Sequence, residues 1–121
     1  MLSILLVEDN KENQLLASWI IEDAGYALDI ADSAEAGLQQ MSLKHYDLVL
    51  MDISLPGMSG KDAVRLIRKN PKLKHIPVIA VTAHSAQTEL NEINQCGFSA
   101  VQFKPLDENL LLQAIKQATA S

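Results

Sequence analysis

Five short apolar runs, separated by segments of helical character, constrain this 121-residue chain more than any other feature. The runs cover about residues 3–7, 26–31, 47–51, 77–82 and 99–103. Ile4-Leu5-Leu6-Val7 and Val78-Ile79-Ala80-Val81 are apolar at successive rather than alternate positions, the pattern of strands covered on both faces. Tyr26-Ala27-Leu28-Asp29-Ile30 does alternate, so an edge strand with one wetter face is expected there. Strands alternating with helices build right-handed βαβ units. The expected fold is therefore a three-layer α/β domain, a doubly wound parallel sheet between two helical layers.

The punctuation agrees. Gly25, after a first helix over about 11–24, and Gly97, after a fourth over about 84–96, are placed to take left-handed C-terminal caps. Asp107 is the expected N-cap of the last helix, with Leu106 and Leu111 as a hydrophobic staple. Pro71 and Pro77 bracket the loop before the fourth strand. The first helix carries Leu15, Leu16, Ala17, Trp19, Ile20 and Ile21, more than one core-facing stripe requires. The excess means either extra core coverage or a partly exposed patch around Leu15 and Trp19 that receives a partner helix. In the fourth helix only Ala86, Leu90 and Ile93 form a stripe. Such thin anchoring suits a movable element, or an ordinary surface helix.

The length corresponds to one domain, residues 1–121. The single Cys96 excludes an internal disulfide and suits a reducing compartment. No apolar run approaches the ~20 residues of a membrane span, and Met1-Leu2-Ser3 shows no export signal. A cytoplasmic protein without membrane contact is expected. The net charge of −5 argues against nucleic-acid binding. Basic residues concentrate at Lys61, Arg65, Arg68, Lys69, Lys72, Lys74 and His75, as a solvated helix face and loop or as a docking patch for an acidic partner.

The chemistry lies where the runs end. Asp52 closes Leu48-Val49-Leu50-Met51, Glu8-Asp9 follow Val7, Thr82 follows Val81, and Lys104 follows Phe103. Parallel strands share an edge at ends of one direction, so three carboxylates, a hydroxyl and an ammonium are expected in one cleft. Clustered carboxylates repel unless a cation intervenes. Mg2+ suits oxygen ligands and keeps positions open for phosphate oxygens. Asp9 and Asp52 are the expected direct ligands, the Ser54 backbone carbonyl is a third, and Glu8 acts through a water. Ca2+ fits this small oxygen set less well. A free oxygen of Asp52 is then positioned to attack an electrophilic phosphorus, while Lys104 and Thr82 cover the remaining phosphoryl oxygens.

The combination of Glu8-Asp9, Asp52 with Pro56-Gly57 and Gly60, Thr82-Ala83 and Lys104-Pro105 resembles the receiver domain of two-component response regulators over essentially the full length. Val7-Glu8-Asp9-Asn10 with Asn13, and Met51-Asp52-Ile53, look most like single-domain receivers and receivers attached to hybrid histidine kinases. The resemblance implies a flavodoxin-like sheet ordered 2-1-3-4-5 with the site at its carboxyl edge, and a cis Lys104-Pro105 bond. It implies that Asp52 accepts phosphate from a sensor histidine kinase or a histidine phosphotransfer protein. Thr82 and Lys104 then shift, and the face of the fourth helix, fifth strand and fifth helix changes its preference for a downstream protein. Receivers also pair as homodimers through that face. The chain would then be a phosphoacceptor signalling domain rather than an enzyme, limited to stoichiometric acceptance and its own dephosphorylation.

The family commonly places Tyr or Phe three residues before the Lys; here Val101 stands there. Ser54 and His84, two residues beyond Asp52 and Thr82, occupy positions that tune phosphoryl lifetime in the family. Three other readings compete. A haloacid-dehalogenase-type phosphatase would carry a second Asp two residues after its nucleophile, where this chain has Ser54. A flavin or nucleotide module would need a phosphate-cradling loop where Glu8-Asp9 present negative charge. A docking-only receiver would be indifferent to phosphorylation.

Overall fold

The computed structural model describes residues 1–83 and 86–120. Strands and helices alternate throughout: β1 (Ser3–Val7), α1 (Lys11–Asp23), β2 (Ala27–Ala31), α2 (Ala34–Leu43), β3 (Leu48–Asp52), α3 (Gly60–Lys69), β4 (Val78–Thr82), α4 (Gln87–Cys96), β5 (Ala100–Phe103) and α5 (Glu108–Thr119). All five strands are parallel in the order β2-β1-β3-β4-β5. This is the flavodoxin-like topology, and β2 lies at an edge as its alternation predicts.

The unbroken apolar runs follow from two buried faces. Leu5, Val7, Val49, Met51 and Val78 pack under α2 and α3. Ile4, Leu6, Leu48, Leu50, Ile79 and Val81 pack under α1 and α5. Every residue of β3 and β4 is buried. On edge strand β2 only Ala31 is buried, and Ile30, at the end of its alternating run, is exposed. Tyr46, in the loop before β3, is buried and donates its hydroxyl to Asp29 of β2 at 2.7 Å.

The caps fall where expected. Gly25 (φ +93°) and Gly97 (φ +111°) are left-handed, and Asp107 Oδ1 accepts from the Leu110 N–H at 2.9 Å. Leu106 and Leu111 lie in the same apolar cluster.

On α1, Ala17, Ile20 and Ile21 are buried, whereas Leu15 and Trp19 are about 70% exposed on the opposite side. The apolar excess is therefore surface.

The fourth helix begins at Gln87 rather than near residue 84; residues 84–85, including His84, lie outside the described residues. Its buried stripe is Ile93 and Cys96 with Leu90 half-buried, while Ala86 is an exposed N-cap residue without a side-chain cap. Leu90 and Ile93 thus face inward as expected, whereas Ala86 falls out of the stripe and Cys96 extends it. Electrostatics supplement it: Lys61 of α3 donates to Glu89 (3.2 Å) and Glu92 (2.6 Å), and Arg68 Nε donates to the Gly97 carbonyl at 2.8 Å.

Candidate functional site

The register brings the strand ends level. Val7 pairs with Met51, Asp52 with Val81, and Thr82 with Phe103. Glu8 and Asp9 extend β1 past its last ladder position, with the Glu8 N–H still held by the Ala31 carbonyl at 3.0 Å. The Lys104 N–H donates to the Thr82 carbonyl at 2.9 Å, which ties the end of β5 to that of β4. The Lys104-Pro105 bond is cis.

These constraints place one carboxylate oxygen from each of Glu8, Asp9 and Asp52 within 4.8 Å of one another. Glu8 and Asp52 are almost wholly buried, and Asp9 is exposed at the mouth. Lys104 Nζ stands 3.1 Å from Asp52 Oδ2 and 3.1 Å from Glu8 Oε1, bridging the two buried acids. Burial of Lys104 alone would lower its pKa. Its hydrogen bonds to Asp52 and Glu8, and their charges, outweigh that and hold it above the usual lysine value. Thr82 is buried at the same edge.

Two backbone N–H groups hold the carboxylates and one side-chain amide holds the Glu8 backbone, and the sequence alone did not single them out. The Ser54 N–H donates to Asp52 Oδ1 at 3.1 Å, and the Asn10 N–H donates to Glu8 Oε2 at 3.1 Å. Gln14 is buried and donates through Nε2 to the Glu8 carbonyl at 2.7 Å. A signal for it existed: Gln14 stands three and seven residues before Ala17 and Ile21, so it is a polar residue inside a buried helical stripe. Gly60 is demanded by close approach. A Cβ there would lie 2.2 Å from the Asp52 carbonyl oxygen, because the first turn of α3 folds back on the end of β3.

The site can therefore hold a hard cation among three carboxylates, and it presents Asp52 with one oxygen bonded to a backbone N–H and the other to an ammonium. The donor set is all oxygen, as Mg2+ prefers, and one of the three carboxylates opens to solvent. Among the described residues no helix is long and apolar enough to cross a membrane.

The chain is similar to known proteins in sequence and in fold. The polar-differentiation response regulator DivK of Brucella abortus is 37% identical over 114 residues, covering 94% of this chain and 93% of that protein. The sensor histidine kinase GacS of Pseudomonas protegens is 33% identical over 119 residues, which are 96% of this chain but only 13% of the kinase. The receiver domain of a Pseudomonas aeruginosa sensor histidine kinase, with a magnesium ion coordinated in its active-site cleft, superposes with a TM-score of 0.92 at 29% identity, covering 99% of this chain and 98% of that one. The signal receiver domain of a Syntrophus aciditrophicus histidine kinase superposes equally well, with a TM-score of 0.92 at 27% identity over 98% of this chain and 90% of that one. Residues 4–116 match the model of the response regulator receiver domain. The chain belongs to the receiver domain family of two-component response regulators.

Proposed function

We propose that this receiver accepts a phosphoryl group on Asp52 from a phosphohistidine of a sensor histidine kinase or a histidine phosphotransfer protein. The observation that carries the reading is the bridging of buried Asp52 and Glu8 by Lys104 beside exposed Asp9. In the transfer, an Asp52 carboxylate oxygen forms a bond to phosphorus as the donor's N–P bond breaks, leaving an acyl phosphate and a histidine that takes up a proton. Asp9 and Asp52, with the Ser54 carbonyl, are the groups that would hold Mg2+, and Glu8 would do so through a water. Bound there, Mg2+ would supply neutralisation of phosphoryl charge. Lys104, on a flexible stem, is placed to leave the carboxylates and follow that charge. Thr82 donates its hydroxyl to a third oxygen. The acidic Glu8-Asp9 pair lies where a nucleotide-binding module would need a phosphate-cradling loop, and Ser54 replaces the second Asp of a dehalogenase-type phosphatase.

The output is a changed preference for a downstream protein. Val101 sets its route: it is half-buried against Ile53, Ala80 and Ile93 with Leu90, so the usual inward-turning aromatic has no counterpart at this position. The same residue favours the second reading, a receiver whose docking does not depend on phosphorylation.

Intact-mass analysis after incubation with a small-molecule phosphodonor tests the acceptor. One added phosphoryl group is expected, dependent on Mg2+ and absent in Asp52→Asn; retention of the group in that variant would refute the assignment. Partner binding that is equal before and after phosphorylation would select the docking-only reading.

A further inference from the structure

The basic concentration between Lys61 and His75 is not one surface. Lys61 is consumed by Glu89 and Glu92, Arg65 pairs with Asp62, and Arg68 turns onto the carbonyls of Gly97, Lys74 and Ile76. Among the described residues, Lys72, Lys74 and His75 have no ion-pair partner. In a chain of net charge −5, the two lysines are a local excess of positive charge, with the His75 imidazole next to them.

Those three side chains border a trough. A hollow of about 520 Å³ lies between the end of α2 with the loop before β3 and the loop before β4. A second of about 400 Å³ adjoins it and shares Met41, Ser42, Lys72 and Leu73. Met41, Leu73 and Ile76 are buried or half-buried there, whereas Leu43 is 78% exposed at the rim. The other rim groups are already matched. Lys44 pairs with Asp29 at 2.8 Å, and the Asp47 carboxylate accepts from the Ser3 N–H at 2.8 Å and contacts the His45 ring at 3.3 Å. The unmatched charge of the trough is therefore that of Lys72, with Lys74 beside it and the His75 imidazole as a neighbouring hydrogen-bonding group.

Its place in the fold separates it from Asp52. The trough is built from residues that precede β3 and β4, so it lies at the amino edge of a parallel sheet whose carboxyl edge carries the acidic site.

We propose that this trough docks an acidic amphipathic peptide segment of a partner protein. Apolar side chains of the segment seat on Leu43, Leu73 and Ile76, and its carboxylates meet Lys72, Lys74 and His75. The charge complementarity selects an acidic segment over a basic one. Two adjoining open hollows suit an extended chain better than a single enclosed ligand.

The test uses a fluorescein-labelled ten-residue peptide of alternating Glu and Leu, with Lys/Leu and Glu/Ser versions as comparisons. Only the Glu/Leu peptide should bind, and amide shifts should centre on residues 42–46 and 71–77. Lys72→Glu with His75→Glu should weaken binding about tenfold, the product of two rim-charge effects, and Leu43→Ser several-fold. Lys116→Glu on α5 changes the net charge as Lys72→Glu does and should leave affinity within about twofold. All these positions are exposed, so each variant retains its core. Asp52→Asn, with or without Mg2+, should bind the peptide as wild type does, which separates this docking from the phosphoryl chemistry. Equal binding of the Lys/Leu peptide, shifts centred elsewhere, loss of binding in Asp52→Asn, or no effect of Lys72→Glu with His75→Glu would overturn the proposal. So would the same shifts from inorganic phosphate alone, which would mark a small-anion site, or from self-association blocked by Leu43→Ser, which would mark a contact between copies.

Discussion

Lys104 Nζ lies 3.1 Å from Asp52 Oδ2, and those residues come from strands that are not neighbours, since β4 runs between β3 and β5. The same ammonium reaches Glu8 beyond β1, so one side chain spans four strands of the sheet and balances two buried charges. Among the described residues, removing it leaves both carboxylates without an ion-pair partner. Lys104→Met should lower stability by about 2–3 kcal/mol in the absence of Mg2+, somewhat below the range for a fully buried pair because solvent reaches Lys104. Mg2+ should narrow the loss by supplying the missing positive charge. Urea unfolding with and without Mg2+ checks both, and an identical loss in the two conditions would count against a cation site at these carboxylates.

Mg2+ itself should stabilise the wild-type chain. A ligand bound only by the folded state contributes about 2.7 kcal/mol at a concentration 100 times its Kd. The thermal midpoint should therefore rise with Mg2+ and rise far less in Asp9→Asn or Asp52→Asn. A midpoint indifferent to Mg2+ in the wild type would remove the metal from the reading.

Gly60 should tolerate almost nothing larger. Gly60→Ala drives a Cβ against the Asp52 carbonyl and should cost about 2 kcal/mol or more. Gly25→Ala meets no neighbour and should cost about 1 kcal/mol for its left-handed backbone alone. Denaturant midpoints of the two variants should rank in that order; the reverse would contradict the close packing of α3 on β3.

The two sides of α1 should respond differently. Leu15→Ala and Trp19→Ala should each change stability by less than about 0.5 kcal/mol, as exposed positions do. Ile20→Ala and Ile21→Ala should each cost about 2–5 kcal/mol. Equal losses on both sides would mean that Leu15 and Trp19 are covered in solution.

The Tyr46 hydroxyl should titrate late. Burial, then its hydrogen bond to Asp29 and that carboxylate's charge, push the phenol up to about 12 from 10.0. A raised folded-state value contributes stability that is complete below the unfolded value and disappears as pH climbs through the folded one. The contribution of Tyr46 should therefore fall across pH 10 to about 12. NMR titration of the Tyr46 ring checks the value. Asp29→Asn should lower it; an unchanged value would remove Asp29 from the cause.

Much of the fold was legible because its signals are local. Apolar runs without alternation mark strands buried on both faces, and Asp29 inside an alternating run marked β2 as the edge. Gly25, Gly97 and Asp107 marked helix ends through backbone and capping chemistry carried by single residues. The start and stripe of α4 were less legible. Ala86 at its start lacks a side-chain cap, and Lys61 and Arg68 of α3 add contacts to Glu89, Glu92 and the Gly97 carbonyl that propensity does not record.

By itself the sequence determined which groups stand at the strand ends, and parallel pairing then required Glu8, Asp9, Asp52, Thr82 and Lys104 to share an edge. Only the tertiary structure decided that Lys104 bridges Asp52 to Glu8, that Gln14 and the Asn10 and Ser54 N–H groups hold those acids, and that the basic stretch divides between internal partners and an outward rim. The physical reason is separation along the chain. A strand end is specified within a few residues, whereas a hydrogen bond between Lys104 and Asp52 joins positions 52 residues apart and exists only when the whole sheet is assembled.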